Sequence, residues 1–455
     1  MRSPLHIVVL AAGQGKRMHS TLPKVLHPVL FRPMLHHVLD QAVELSPQTL
    51  TVIVGHGEEQ VRAACAGYPS VRLVRQAEQK GTGHAVQQAA PLLEKEKGRV
   101  LILSGDVILL ARETLQALLD ASGDAAVLTA QLPDPTGYGR ILHSDDGGVR
   151  AIREHVDCSP EERAIQEVNS GVYAFGVQPL LAALKNLGSD NRQGEYYLTD
   201  VVEILVADGQ NVRAVRMADH REITGINDRL ALSEVERLMR KRTNLYFMSR
   251  GVSLQDPATT WIDPRCEIAA DVLIEGGCRI SDSHIASGVR IEADSRIESC
   301  RIAQGAHIKQ GSYLEHSEIG PECSIGPYAH LRPGSVLARG VKIGNFVEVK
   351  KSRFGEGSKA NHLAYVGDAE IGKDVNLGCG FITCNYDGKS KHKTVIEEGV
   401  FVGSDSQMVA PVRVGKGSFV AAGSTVTDDV PADSLVITRG KQITKPGYGK
   451  KYRPD

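Results

Sequence analysis

From residue 262 onward one apolar side chain recurs every six residues: Ile262, Ile268, Ile274 and Ile280, then Ile285, Ile291 and Ile297, then Ile302, Ile308 and Leu314. The series runs on through Ile319, Ile325, Leu331, Leu337, Ile343 and Val349, then Phe354, Ala360 and Val366. A helix needs a period of about 3.6 and a half-buried strand a period of 2, so neither produces it. The series restarts by five-residue steps at 285, 302 and 319, so the unit is three hexads less one residue. A chain wound around a triangular prism has this pattern. Each hexad is one flat side with its apolar residue pointing inward, and small residues turn the corners, as in Ile325-Gly-Pro, Ile343-Gly-Asn, Val366-Gly-Asp and Val414-Gly-Lys. Residues 251–455 are therefore expected to form a parallel β-helix of hexapeptide repeats. The series breaks after Leu377 and resumes at Ile396, Val402, Met408, Val414, Val420 and Val426, which predicts a loop bulging out near residues 384–394. Insertions in solenoids collect on one face, often the binding face.

The preceding half has a different grammar. Only 20 of the 46 glycines lie in residues 1–250, against 26 in the shorter remainder. Apolar runs suited to buried strands (Ile7–Ala12, Leu50–Val54, Val71–Val74, Val100–Leu103, Ala125–Thr129) alternate with helical patterns at Leu35–Leu45, Glu58–Ala66, Gly83–Leu93 and Thr114–Leu119. That alternation predicts an α/β domain with a mainly parallel sheet, which takes its ligands at the carboxyl ends of the strands. Asp228–Met248 reads as a helix with Ala231, Val235, Leu238 and Leu245 on one side and its charge cluster on a solvated face. The expected domains are 1–227, a helical linker 228–250, and 251–455.

Composition narrows the partners. Lys plus Arg is 53 and Asp plus Glu is 54, a net charge of −1, which gives no reason to expect nucleic-acid binding. No stretch approaches the roughly 18 apolar residues of a membrane span, and the apolar run at Ile7–Ala12 is too short for a signal sequence, so a cytoplasmic location without membrane insertion is the default expectation. The eight cysteines (65, 158, 266, 278, 300, 323, 379, 384) form no CxxC pair and read as reduced and structural.

The chemistry of the first half concentrates in Leu10-Ala-Ala-Gly-Gln-Gly-Lys-Arg-Met18 and Leu22-Pro-Lys-Val-Leu26. Gly13 and Gly15 follow a buried strand and let backbone N–H groups face phosphate oxygens. Lys16, Arg17 and Lys24 add cations beside the same phosphates. The spacing is neither a dinucleotide fingerprint, since Met18 replaces the third glycine, nor a Walker A loop. Val100–Leu103 leads into Ser104-Gly105-Asp106, which sets a carboxylate at the ligand crevice, suited to Mg²⁺ or to a plain turn.

These motifs resemble those of the sugar-1-phosphate nucleotidyltransferases. With the hexapeptide repeats downstream, the whole chain resembles the bacterial bifunctional family that joins N-acetylglucosamine-1-phosphate uridyltransferase to glucosamine-1-phosphate acetyltransferase. The resemblance implies a Rossmann-like nucleotidyltransferase domain followed by a left-handed β-helix. It implies Arg17 as a catalytic cation and a nucleotide site of Leu10, Ala11, Gly13, Lys24, Gln76, Gly81 and Thr82, the last three reading uracil of UTP. It implies Mg²⁺ on Asp106 and Asn227, and an amino-sugar site of Gly139, Glu154 and Asn169.

In the second half, Arg332 and Lys350 follow inward residues, and the insertion carries Lys389, Lys391 and Lys393, cations able to gather on one phosphate or to stay solvated. His362, in Asn361-His-Leu-Ala-Tyr365, has a side chain suited to general-base work near neutral pH. The resemblance implies His362 as the base that activates the amine of glucosamine-1-phosphate toward acetyl-CoA. It further implies that Arg332, Lys350, Tyr365, Asn376 and Lys391 hold the sugar phosphate, and that Cys379, Asn385, Tyr386, Ser404, Ala422 and Arg439 line the acetyl-CoA side. Cys379 departs from the small alanine common in that family. A homotrimer is implied too. Two other readings use the same pieces: a single-activity nucleotidyltransferase with a structural β-helix, disfavoured by the His362, Tyr365, Asn385 and Tyr386 cluster, and a non-enzymatic binding subunit, disfavoured by the joint presence of Arg17, Lys24 and Asp106.

Overall fold

The computed structural model describes residues 3–145 and 147–452. The chain divides into two units, Met1–Met239 and Arg240–Asp455, so the boundary falls inside the helix Arg229–Ser249.

In the first unit the strands lie in the spatial order Val212–Arg216, Ala125–Gln131, Glu167–Gly176, Arg99–Ser104, Leu5–Ala11, Thr49–Val54, Val71–Arg75. Leu5–Ala11 runs parallel to both its neighbours, Arg99–Ser104 and Thr49–Val54. Its side chains Ile7, Val8 and Val9 are buried, as are Val100 to Leu103 beside them. Burial on both faces is why these strands read as unbroken apolar runs. The expectation of a mainly parallel sheet holds with one reversal, because Glu167–Gly176 is antiparallel to both strands it joins. It also carries the hairpin Arg140–His143 and Val149–Arg153.

The second unit is a left-handed parallel β-helix of three stacked sheets of 11, 10 and 9 short strands. The inward positions pair coil upon coil: Ile274 with Ile291, Ile291 with Ile308, Ile308 with Ile325 and Ile325 with Ile343. They form one continuous buried core. Each such side chain contributes about 1.5–3 kcal/mol of burial, which is what keeps the six-residue period in register. Corners need small residues for a steric reason: a Cβ on Gly344 would sit 1.9 Å from the Asn361 carbonyl oxygen of the next coil.

Three sequence expectations are corrected. The repeat does not break after Leu377. Thr383 takes the next inward position, buried, and its hydroxyl accepts a 2.7 Å hydrogen bond from the Gly367 N–H. A satisfied hydroxyl is tolerated where a bare one is not. The insertion therefore lies wholly between the strands Ile382–Cys384 and Thr394–Ile396. On the helix Arg229–Ser249 the buried apolar residues are Val235, Met239 and Phe247, joined by the buried polar Thr243 and Asn244, while Leu245 is exposed. Among the insertion lysines, Lys393 does not join a phosphate cluster but pairs with Glu370.

All eight cysteines are free, and six of them are buried. Among the described residues no helix is long and apolar enough to cross a membrane.

Candidate functional site

A cleft of about 410 Å³ lies beyond the carboxyl ends of Leu5–Ala11 and Arg99–Ser104. Of the expected residues its wall contains Leu10, Arg17, Thr82, Asp106, Gly139, Glu154, Asn169 and Asn227. Ala11, Gly13, Lys24, Gln76 and Gly81 are not part of that wall.

Lys24 joins the cleft through its ammonium. Nζ donates to Asp106 Oδ2 at 2.5 Å and to Asn227 Oδ1 at 3.2 Å. Asp106 is buried, and its Oδ1 accepts from the Ser104 hydroxyl at 2.5 Å. The Ile226 N–H donates to the Asp106 carbonyl at 3.2 Å, which pins the turn bearing Asn227. Two hard oxygens thus converge on one cation. Among the described residues no group of three or more His, Cys, Asp or Glu can hold a metal by itself. A divalent ion bound by Asp106 and Asn227 would draw its other ligands from phosphate and water.

The glycines differ in their reasons. Gly15 has φ +60°, and a Cβ there would lie 2.7 Å from the Lys24 Cβ, so only glycine lets the Lys24 segment pass. Gly13 would meet nothing within 4 Å, so no packing within the protein demands it.

At the far end of the cleft the Thr199 hydroxyl donates to Glu154 Oε1 at 3.2 Å. Burial, reinforced by Asp200 and Asp157, raises the Glu154 carboxyl above the usual carboxylate range. Asn169 is oriented from both ends: Nδ2 donates to the Tyr173 hydroxyl at 2.7 Å and Oδ1 accepts from the Gly171 N–H at 3.1 Å. Its own N–H donates to the Gly139 carbonyl at 2.9 Å. On the other side Gln76 Nε2 donates to the Gly81 carbonyl at 3.1 Å, and the Leu198 N–H donates to the Thr82 hydroxyl at 3.1 Å.

Sequence reasoning missed Arg229. Its Nε donates to the Met18 carbonyl at 3.2 Å and its Nη1 lies 3.4 Å from His27 Nδ1, tying the segment of Arg17 to that of Lys24. No motif marks it, because one arginine in a charged helix looks solvated.

In the β-helix the expected residues fall in two files flanking one flat side. The first runs along a corner. His362 is in register with Asn345 one coil earlier, and His362 Nδ1 lies 3.0 Å from Asn345 Oδ1. Cys379 and Ser404 follow on later coils, linked by the Asp405 N–H donating to the Cys379 carbonyl at 2.7 Å. Ala422 comes next, with the Gly423 N–H donating to the Ser404 carbonyl at 2.8 Å and the Arg439 guanidinium donating to the Ala422 carbonyl at 2.5 Å. His362 is exposed, and among the described residues its Nε2 makes no hydrogen bond.

The second file stands at the other edge of that side. Lys350 is in register with Gly367, and Arg332 donates to Glu348 Oε1 at 2.7 Å. The insertion returns Lys391 to Lys350, and the repulsion between their ammonium groups lowers the pKa of Lys350. A Cβ on Gly367 would lie 2.4 Å from the Tyr365 hydroxyl and 2.8 Å from Asn385 Nδ2, so both side chains cross over that glycine. Asn385 Nδ2 donates to Asp368 Oδ2 at 2.5 Å. Tyr386 forms a backbone bridge with Lys391. Asn376 lies apart, on the adjoining flat side in register with Phe401. The structure thus gathers Arg332, Lys350, Tyr365, Asn385 and Lys391, sets His362 across the flat side from them, and carries Ser404, Ala422 and Arg439 onward along the His362 corner. Asn345 and Asp368 belong to this region and were not foreseen, because their side chains matter only through the coil above.

Comparison with known proteins matches the same two parts. Residues 7–194 match the MobA-like NTP transferase domain, residues 262–354 the GMPPB C-terminal domain, and residues 393–428 the bacterial transferase hexapeptide (six repeats). Over 445 residues the chain is 50% identical to the bifunctional protein GlmU of Exiguobacterium sibiricum, covering 97% of this chain and 99% of that one. The chain belongs to the bifunctional GlmU family. The GlmU of Bacillus subtilis is 49% identical over 447 residues, covering 97% of this chain and 98% of that one. The GlmU of Trichlorobacter lovleyi is 50% identical over 451 residues, with 98% of each chain covered. At that coverage neither unit is an addition to the family's architecture.

Proposed function

We propose that the chain makes UDP-N-acetylglucosamine by two transfers, one in each unit. The β-helix moves an acetyl group from acetyl-CoA to the amine of glucosamine-1-phosphate. The α/β unit then moves a uridylyl group from UTP to the phosphate of N-acetylglucosamine-1-phosphate and releases pyrophosphate. The observation that carries the reading is the meeting of Asp106, Asn227 and Lys24 at the strand ends. The chain's membership of a family named bifunctional supports a second reaction beside it.

In uridylyl transfer a phosphate oxygen of the sugar attacks the α-phosphorus and the bond to the pyrophosphate oxygen breaks. The nucleophile is already an anion, so positioning and charge neutralisation suffice. Gln76, Gly81 and Thr82 hold the base, Gly139, Glu154 and Asn169 hold the amino sugar, and Arg17 and Lys24 face the triphosphate, with Leu10, Ala11 and Gly13 supplying the backbone of the cradle. The oxygen-only pair of Asp106 and Asn227 fits Mg²⁺, which supplies positive charge to the phosphates when bound. Lys24 then leaves its present partners for the nucleotide.

In acetyl transfer the amine nitrogen attacks the thioester carbonyl and the carbon–sulfur bond breaks. His362 Nε2 accepts the amine proton, which passes to the departing coenzyme A sulfur. Asn345 keeps Nδ1 as the donor, so Nε2 presents its lone pair. Arg332, Lys350 and Lys391 hold the sugar phosphate, with Tyr365, Asn376, Asn385 and Tyr386 around the sugar and reaction centre. Ser404, Cys379, Ala422 and Arg439 follow the coenzyme along the corner.

The β-helix assembles as a homotrimer. In support, Tyr328, Phe346 and Leu363, beside the His362 corner, are 51%, 57% and 58% exposed. The rings of Tyr328 and Phe346 stack at 5.9 Å, an apolar ladder that a second copy would cover.

The test is to supply the purified protein with glucosamine-1-phosphate, acetyl-CoA, UTP and Mg²⁺ and to follow free thiol and pyrophosphate separately. Release of both, with pyrophosphate alone abolished by chelating Mg²⁺, is the expected result. Absence of free thiol refutes acetyl transfer, and free thiol without pyrophosphate refutes uridylyl transfer.

A further inference from the structure

The insertion between the strands Ile382–Cys384 and Thr394–Ile396 is a tight hairpin. The His392 N–H donates to the Asn385 carbonyl at 2.8 Å, Tyr386 and Lys391 form an antiparallel bridge, and the Asp387 N–H donates to the Ser390 carbonyl at 3.3 Å. One carboxylate closes the turn. Asp387 Oδ1 accepts from the backbone N–H groups of Lys389 at 2.8 Å and Ser390 at 2.7 Å, and Oδ2 accepts from His392 Nε2 at 2.7 Å. These donors, the Ser390 N–H first, hold the Asp387 carboxyl well below the usual carboxylate range, so it is ionised at neutral pH. An ionised carboxylate only accepts, which puts a hydrogen on His392 Nε2 whatever the state of Nδ1.

The hairpin works against a repulsion. Its returning arm sets Lys391 beside Lys350, where each ammonium meets a like charge. Arg332 and Lys393 have carboxylate partners in Glu348 and Glu370, whereas among the described residues neither Lys350 nor Lys391 forms an ion pair. An ammonium on an untied loop would move away from its like neighbour. Resting on the reading of Lys391 as a holder of the sugar phosphate, we propose that His392 is a positioning residue for acetyl transfer. Its Nε2–H, bonded to Asp387, closes the hairpin and keeps Lys391 against Lys350, so the pair of cations is in place before the phosphate of glucosamine-1-phosphate arrives. The phosphate then meets two ammonium groups without first ordering the loop.

Successive side chains of an extended arm point to opposite sides, so His392 can bond Asp387 while Lys391 faces Lys350. The sequence draws attention to Lys389, Lys391 and Lys393, and the histidine between the last two is easily passed over. Its partner lies five residues back, across a turn that the repeat does not announce.

The test measures the KM for glucosamine-1-phosphate, the KM for acetyl-CoA and the kcat of acetyl transfer. The full-length wild type is compared with His392→Ala, His392→Gln, Lys391→Ala and the double variant His392→Ala/Lys391→Ala. His392→Ala is expected to raise the KM for the sugar phosphate about five- to tenfold, with kcat and the KM for acetyl-CoA little changed. A retained kcat at saturating sugar phosphate shows that the β-helix is folded. His392→Gln, whose amide N–H can reach Asp387 in place of Nε2, is expected to restore most of the affinity. Lys391→Ala is expected to raise the same KM, and in that background the His392 substitution is expected to add nothing. A raised KM in Lys391→Ala beside an unchanged one in His392→Ala overturns the role of His392 and leaves the reading of Lys391 standing. Unchanged values in both overturn both. A Gln variant as weak as the Ala variant overturns the bond to Asp387 as the cause, and a further rise in the double variant overturns the route through Lys391. A fall in kcat with the KM unmoved overturns the assignment to phosphate binding.

Discussion

The side-chain oxygen of Asn345 meets His362 Nδ1 at 3.0 Å across one coil of the β-helix. An acceptor at that distance fixes the proton on Nδ1 and leaves Nε2 as the basic atom. Asn345→Ala is expected to slow acetyl transfer by about 10–100-fold while uridylyl transfer is unchanged, in the range of losses seen when the partner of a working imidazole is removed. Asn345→Asp puts a carboxylate against the ring and favours its protonated form. The acid limb of the acetyl-transfer rate profile should then move to higher pH, which a rate measurement from pH 5 to 9 checks.

Gly15 is the position at which the nucleotide cradle has no freedom. Gly15→Ala forces a Cβ to within 2.7 Å of the Lys24 Cβ at φ +60°. Strain of about 1–3 kcal/mol is relieved by displacing Lys24 from Asp106. Uridylyl transfer should fall by about 10–100-fold, with acetyl transfer intact. Parallel assays of the two reactions on one preparation decide it.

Gly367 plays the matching part in the β-helix. Gly367→Ala pushes the Tyr365 hydroxyl and the Asn385 amide aside, since its Cβ would lie 2.4 Å and 2.8 Å from them. The expected result is a loss of acetyl transfer of about tenfold or more, with pyrophosphate release unchanged.

Asp200 gives a pH-dependent stability. Burial, with Glu203 beside it, raises its carboxyl from the ordinary 3.8 to about 6. Between those values the folded chain holds a proton that the unfolded chain has lost, so stability falls as pH rises through that window and the cost is complete above it. The nominal cost is about 3 kcal/mol. The group is half exposed, so solvent screening reduces this to about 1 kcal/mol. Asp200→Asn should therefore raise the unfolding midpoint of the first unit at pH 7.5 and have little effect near pH 4, by calorimetry at both pH values.

The parts legible in the sequence are those where a single position allows one kind of residue. The inward file from Ile262 to Val366 is readable because each site is closed on all sides by the coils above and below. Leu10–Met18 is readable because a strand end, two glycines and two cations come together in a few residues. Thr383 escaped notice because its hydroxyl is satisfied by the Gly367 N–H, a bond made only across coils. The reversed strand Glu167–Gly176 escaped because a strand buried along nearly its whole length looks the same in either direction. Arg229 and Lys393 escaped for opposite reasons: one charged side chain looked solvated and works on Met18 and His27, the other looked available and is spent on Glu370.

The central claim is that each unit carries its own chemistry with its own residues. It is tested most directly by measuring thiol release from acetyl-CoA with glucosamine-1-phosphate, and pyrophosphate release from UTP with N-acetylglucosamine-1-phosphate, in His362→Ala and Asp106→Ala. His362→Ala should lose thiol release by about 100-fold or more and keep pyrophosphate release near the wild-type rate; Asp106→Ala should lose about 100-fold or more of pyrophosphate release and keep thiol release. Loss of both products in either variant, or of neither, would contradict the account.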